Sequence, residues 1–421
     1  MNIHAQTTRT AAETALLDAY AGRIAKLPGD ASVTVKRDNA VEALKAGLPT
    51  RKVEAWHYTD LRRLLSSIPA FDATAYAEKI APVLTGSSVL PVLNGVADKA
   101  PTVEGASIAT LGEKLADGSL GDVLGIADRD DTIGAINSAF VADGFVIEIA
   151  EGAKITAPIE LQNVQAGGQT HSRFVVKAGA GSKATIVERQ TGTGEALVSS
   201  VTNLDVGEGA ELLWLILQEQ PEGATHLGQF NVRIGKGSKL TLFVMNTGGR
   251  LVRQEIRASA AGQDSEFKLR GVNLLAGQTH CDVTMVLDHL APDTYSTETL
   301  RNVVTGKAQG VFQGQIRVAR EAQKTDAKMA CNTLLLSDEG EFSTKPELEI
   351  FADDVACGHG ATVTEIEQDH LFYLMARGID EKSARGLLVK AFVAEVIEEL
   401  EDETVVDALE EKIGHWFAEH G

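Results

Sequence analysis

EGAKITAPIELQNVQAGGQTHSRFVVKAGAGSK, residues 151–183, opens and closes on the same short turn. Glu151-Gly152-Ala153-Lys154 at its start resembles Ala180-Gly181-Ser182-Lys183 at its end, and Glu208-Gly209-Ala210-Glu211 and Lys236-Gly237-Ser238-Lys239 repeat the plan. These glycines step by 29, 28 and 28 residues, and a glycine-free echo, Asp264-Ser265-Glu266, lies 27 beyond the last. Between the turns the apolar residues alternate: Phe145, Ile147 and Ile149; Ile155, Ala157, Ile159 and Leu161; Leu240, Leu242 and Val244. A period of two is a strand with one buried face. Strands inside a constant step of this size indicate stacked coils, each burying its apolar face against the next. Glycine at each corner permits a positive φ. The reading is a parallel β-helix or flattened β-solenoid over residues 144–352. A β-sandwich explains the strands but not the even step.

The flanks read differently. Residues 1–143 carry a mostly helical pattern. Leu16, Leu17, Tyr20, Ile24 and Leu27 form one apolar face, stopped by Pro28-Gly29, and a second helix is expected from Asn39 to Ala46, with Asn39 and Glu42 at capping-box spacing. In residues 353–421 Leu371, Leu374 and Met375 share a stripe ended by Gly378. Asp380 then caps a helix whose apolar face includes Leu387, Leu388, Phe392 and Val396, and a third helix is expected from Val405 to Phe417. Such helices either cap the solenoid's end or dock a partner.

Composition narrows the function. A net charge of −20 and 5% aromatic residues argue against nucleic acid and against a stacking surface for bases or sugars. No leader pattern precedes Leu17 and no apolar run reaches membrane-spanning length. Three sparse cysteines, Cys281, Cys331 and Cys357, read as free thiols in a reducing, cytoplasmic compartment.

Four constellations carry possible chemistry. Ala178–Lys183 has the order Gly-Ser-Lys, not the Gly-Lys-Ser/Thr of a phosphate loop, and it belongs to the repeated turn. His280, Asp282, Asp288 and His289 offer zinc-binding groups, but His280 and His289 stand at odd separation, so a regular strand puts them on opposite faces. The bland alternative is polar residues on an exposed face or corner. Asp353-Asp354 could serve a polysaccharide-cleaving β-helix. Cys357 and His359 lie two apart in ACGHGA, where an extended chain points both the same way. Thiolate and imidazole both suit iron. The competing reading is a histidine satisfied by hydrogen bonds in a tight turn, and spacing alone leaves the two equal.

At these residues the chain resembles the SufB/SufD family of iron–sulfur cluster assembly scaffold subunits, on its SufD side. Three blocks carry the resemblance: GLPTRKVEAWHYTDLR (47–62), AQKTDAKMACNTLLLSDEGEFSTKPELEIFADDVACGHGAT (322–362) and VTEIEQDHLFYLMARGI (363–379). With the solenoid between them they cover nearly the whole chain. The resemblance implies a mainly β fold, a right-handed parallel β-helix flanked by N-terminal and C-terminal α-helical regions. It implies a non-catalytic scaffold in the SufBCD complex that pairs with SufB through the β-helix. The SufC ATPase would be bound through Asp380, Leu387, Leu388, Phe392 and Val396. It places His359 at the subunit interface as a transient ligand of a nascent iron–sulfur cluster, with Cys357 beside it. Cys331 stands near where the sister subunit carries its interface cysteine, and here is either a participant or a buried small residue. Reduced flavin is associated with the family, without a motif in this sequence. The rival function is a metal-dependent or polysaccharide-active hydrolase.

Overall fold

The computed structural model describes residues 8–72 and 74–420. The leader reading of residues 1–7 lies outside them. The centre is a parallel β-helix of about eight turns. Each coil gives one strand to a ten-stranded sheet and one to a nine-stranded sheet, so strands adjacent in sequence lie in different sheets. Within a sheet the coils stack in parallel register, as in Lys183↔Glu211, Glu211↔Lys239 and Lys239↔Glu266.

The corner glycines do what the repeat requires. Gly152, Gly181, Gly209 and Gly237 have φ of 69, 64, 66 and 60°. The N–H of Gly181 donates to Glu208 O and that of Gly209 to Lys236 O, both at 2.8 Å, so the ladder continues through the corner. Asp264 takes over with φ 59°, and Asp293 and Lys324 follow at 55° and 63°. An aspartate tolerates this region better than most residues. The turn at Ala178–Lys183 therefore spends its Gly181 N–H on the next coil and cannot cradle a phosphate.

The core between the sheets contains the alternating residues read from the sequence: Phe145, Ile147 and Ile149, and Leu240, Leu242 and Val244, with Trp214 packed edge-on to Phe230 at 5.2 Å. The strand expected from Ile155 begins only at Ile159, after Pro158. A second interior feature is polar. Asn163, Gln190, Gln218, Asn246, Asn273, Asn302 and Thr333 occupy successive in-register positions. Asn246 Nδ2 donates to Asn273 Oδ1, and Asn273 Nδ2 to Asn302 Oδ1, each at 2.7 Å. A buried amide group without a partner costs about 1–3 kcal/mol, and these contacts offset part of that cost while tying each coil to the register of the next; Asn163 Oδ1 and Asn246 Oδ1 have no partner among the described residues.

Helices cover both outer faces, which is why the strands are buried on both sides. N-terminal helices Ala11–Arg23 and Ala31–Lys45 and helix Thr132–Phe140 pack with Leu197, Val201, Leu227 and Leu251 of the nine-stranded sheet. The second helix starts at Ala31, capped by Asp30 through Val33 N at 2.9 Å, so Asn39 is interior rather than a cap. The C-terminal helices Gln368–Met375, Glu381–Glu398 and Glu403–His420 lie along the ten-stranded sheet. Their Val389, Val396, Leu409, Ile413 and Trp416 meet Leu215, Leu217, Phe243 and Met245. They cover a face and do not cap the end. The parallel ladder also runs past 144–352 on both sides, to Ser88–Leu93 and to Ala356–Glu365. Pro91 in the first and two glycines in the second weaken their strand pattern.

Candidate functional site

The last coil leaves the solenoid open. Strands Glu341–Ile350 and Ala356–Glu365 are the terminal strands of the nine- and ten-stranded sheets, each with one backbone edge unpaired among the described residues. A ten-residue open edge is a template for another chain. Ile350 and Phe351 are 40% and 60% exposed beside it.

Register sets which side chains face the mouth. Cys357 stands beside Ala327, His359 beside Met329, and Ala361 beside Cys331. Ala327, Met329 and Cys331 all belong to the interior core. Cys357, His359 and Ala361 therefore continue inward-facing columns that in every earlier coil are covered by the next one. Cys357 is half-buried against the core and His359 is exposed. The two share a face, and they stand on a strand rather than in a tight turn. Burial pushes the Cys357 thiol up, opposed by a hydrogen bond from the Ala327 backbone. Cys331 lies one coil deeper. It is 1% exposed, accepts a hydrogen bond from Asn302 Nδ2 at 3.3 Å, and burial pushes its thiol up to about 11. As a protonated thiol enclosed by packing it is a poor ligand in this state.

Glu298 was not singled out by the sequence, because a carboxylate in an alternating strand reads as outward-facing. It stands in register with Met329, two coils beneath His359. It is 0% exposed, and its carboxylate oxygens have no hydrogen-bond partner among the described residues. The neighbouring Ser296 hydroxyl is engaged by His289 Nε2 at 3.1 Å. Burial pushes the Glu298 carboxyl up to about 8. Among the described residues no three His, Cys, Asp or Glu side chains converge as a metal site. Cys357 and His359 are two donors, fewer than a closed four-ligand site requires.

The other candidates separate. His280 and Asp282 are not on an open face but lie under the N-terminal segment. The Thr59 hydroxyl sits 2.9 Å from His280 Nε2 and donates to Asp282, and Arg253 pairs with Asp282 while stacking over Trp56 at 3.9 Å. This network docks residues 55–59 on the solenoid. His289 points into the core, with Nδ1 2.8 Å from Thr294 Oγ1, and burial pushes it down to about 4. Asp288 faces out and pairs with Arg317 at 2.7 Å. The two histidines thus lie on opposite faces of one strand and form no common zinc site. Asp353 and Asp354 are exposed at a corner, where the Asp354 N–H donates to Gln323 Oε1 at 3.0 Å.

On the C-terminal helices, Asp380 is an N-cap, accepting from Ser383 N at 3.0 Å. Val396 is fully buried, and Leu388 and Phe392 are half-buried against the ten-stranded sheet. Leu387 is 50% exposed. It is joined as an outward apolar residue by Phe372, Tyr373 and Met375 of the preceding helix, at 72%, 55% and 41% exposure. The helical stripe read from Leu371, Leu374 and Met375 holds for the first two, which pack on the sheet, whereas Met375 turns outward with Phe372 and Tyr373.

The family model described as "SUF system FeS cluster assembly, SufBD core domain" matches residues 161–392. The chain is 28% identical over 393 residues to the iron-sulfur cluster assembly protein SufD of Escherichia coli, covering 89% of this chain and 90% of that one. It is 29% identical to the chloroplastic protein ABCI7 of Arabidopsis thaliana, over 88% and 83% of the two chains. A SufBD family protein of Synechocystis is 26% identical over 88% of each.

Proposed function

The chain belongs to the SufBD family of the SUF iron–sulfur cluster assembly system, and from that membership we propose that it is the SufD-type scaffold subunit of a cytoplasmic SufBCD complex. The open last coil joins the corresponding coil of SufB, edge to edge. Backbone pairing supplies the adhesion, and the inward columns ending at Cys357 and His359 become the floor of a closed seam. The observation that carries this reading is His359: an imidazole on a core-facing column, exposed because no coil follows it.

The nascent cluster is cargo. His359 offers one nitrogen ligand, Cys357 a thiol beside it, and SufB supplies the remaining thiolate. A cluster held by few ligands at a protein–protein seam remains open to transfer. The cavity beside Pro49–Val53 has no aromatic wall for a flavin ring.

SufC docks on the C-terminal helices, and its ATP hydrolysis supplies the force that opens the seam. The contact is made by Phe372, Tyr373, Met375 and Leu387, with Asp380 holding the helix start in place. Val396 contributes through packing from within. Removing residues 380–421 would strip the ten-stranded sheet of its cover and expose Leu215, Leu217 and Phe243, so the informative variant is a surface one. Phe372→Glu with Leu387→Glu is expected to lose co-purifying SufC by at least about tenfold, since central apolar anchors are worth 2 kcal/mol or more each. SufB should be retained. Retention of SufC would reject this docking surface.

A further inference from the structure

The block GLPTRKVEAWHYTDLR does more than dock Trp56 and Thr59. Its first half lines a cavity of about 1150 Å³ between helix Ala11–Arg23, the end of helix Ala31–Lys45 and the segment Arg129–Thr132. Six cationic side chains converge there, Arg9, Lys45, Arg51, Lys52, Arg62 and Arg129, against the carboxylates Glu13, Asp60 and Asp130. This is a positive concavity on a chain of net charge −20.

The floor is rigid. Glu13 is 4% exposed and accepts from Thr10 N at 2.7 Å, Leu48 N at 2.9 Å and Arg62 Nε at 3.0 Å. Gly47 turns the chain at φ 101°, and a Cβ there would stand 3.2 Å from Glu13 Oε1. Arg62 N donates to Pro49 O at 3.1 Å. The loop Pro49–Lys52 is thus clamped from both ends. The N–H groups of Thr50 and Arg51 find no acceptor among the described residues. Glu13 holds Arg62, whereas Arg51, Lys52 and Arg129 carry no ion pair among the described residues. Free guanidinium groups, an ammonium and open backbone N–H groups on a fixed loop are a phosphate-recognition set.

We propose that this groove binds a small molecule carrying two or three linked phosphate groups. Its concavity favours a small ligand over a flat acidic protein surface. The proposal rests on the groove alone and is independent of the cluster-assembly reading.

The test is calorimetric titration of the full chain with sodium tripolyphosphate. Saturable one-site binding is expected, weakening as salt rises because the cations are exposed. Arg51→Glu with Lys52→Glu, and separately Arg129→Glu, should each weaken it at least about tenfold, as expected for losing charge-assisted contacts. Lys177→Glu, an exposed lysine outside the groove, should not. An unchanged thermal midpoint verifies that the variants fold. Absence of saturable binding, or equal weakening by Lys177→Glu, overturns the proposal. So does loss of a co-purifying protein in the Arg51/Lys52 variant without any tripolyphosphate binding, which would make the groove a protein contact.

Discussion

His359→Ala is expected to leave the complex intact and to lower cluster maturation at least about tenfold, since losing even an outer partner of a metal site commonly costs 10–100-fold. The two effects separate because different atoms carry them. In the proposed seam, pairing would rest on backbone groups of Ala356–Glu365, which the substitution does not touch. The imidazole sits above Met329 with the mouth of the solenoid before it, so its removal leaves no internal cavity to collapse. Reconstitution with SufB, SufC, iron and sulfide, followed by visible absorption of the assembled cluster, measures the outcome. Full maturation by the variant would remove His359 from the ligand set. Loss of the complex itself would give the side chain a structural role instead.

Glu298→Gln is expected to stabilise the protein at alkaline pH by several kcal/mol. The ordinary glutamate value is 4.5, and burial raises it to about 8 in the folded chain. Between these values the folded state holds a proton that the unfolded state has released, so stability falls as pH rises through that window. At 1.36 kcal/mol per unit the accumulated penalty is roughly 5 kcal/mol above pH 8. Glutamine has the shape of the neutral acid and carries no titratable proton. Urea unfolding from pH 5 to 9 should show wild type and variant within about 1 kcal/mol at the acidic end and diverging toward the alkaline end. Parallel profiles would mean that Glu298 ionises without penalty, through water or a partner that the packing conceals.

Both predictions depend on a position in a stack, and the stack was legible in unequal parts. The corners were readable because glycine has a distinctive use at positive φ, and the same step led to Asp264 where glycine was absent. The amide column was overlooked although Asn163, Gln190, Gln218, Asn246, Asn273 and Asn302 follow nearly the same spacing. Polar residues in strands are ordinarily assigned to the outer face, and these line the inside. Glu298 escaped for the same reason. Faces two apart were reliable within one strand, as Cys357 with His359 and His280 against His289 illustrate. Which face was covered was not, because the cover comes from distant segments. His280 and Asp282 are buried only because Thr59, more than 200 residues earlier, lies on them. Val396 belongs to a helix face that was read correctly as apolar, yet it turns inward to a sheet the helix pattern cannot reveal.

The most direct measurement is amide hydrogen exchange over Ala356–Glu365 in the free chain and in the presence of SufB. Half the backbone groups of this strand are unpaired at the edge, and their exchange in the free chain should be fast relative to Asp326–Leu335, which is paired on both sides. Pairing with the sister coil should slow exchange across the strand to the level of its inner neighbour. Equal exchange with and without SufB, in a complex shown to have formed, would contradict the edge-to-edge seam on which the role of His359 depends.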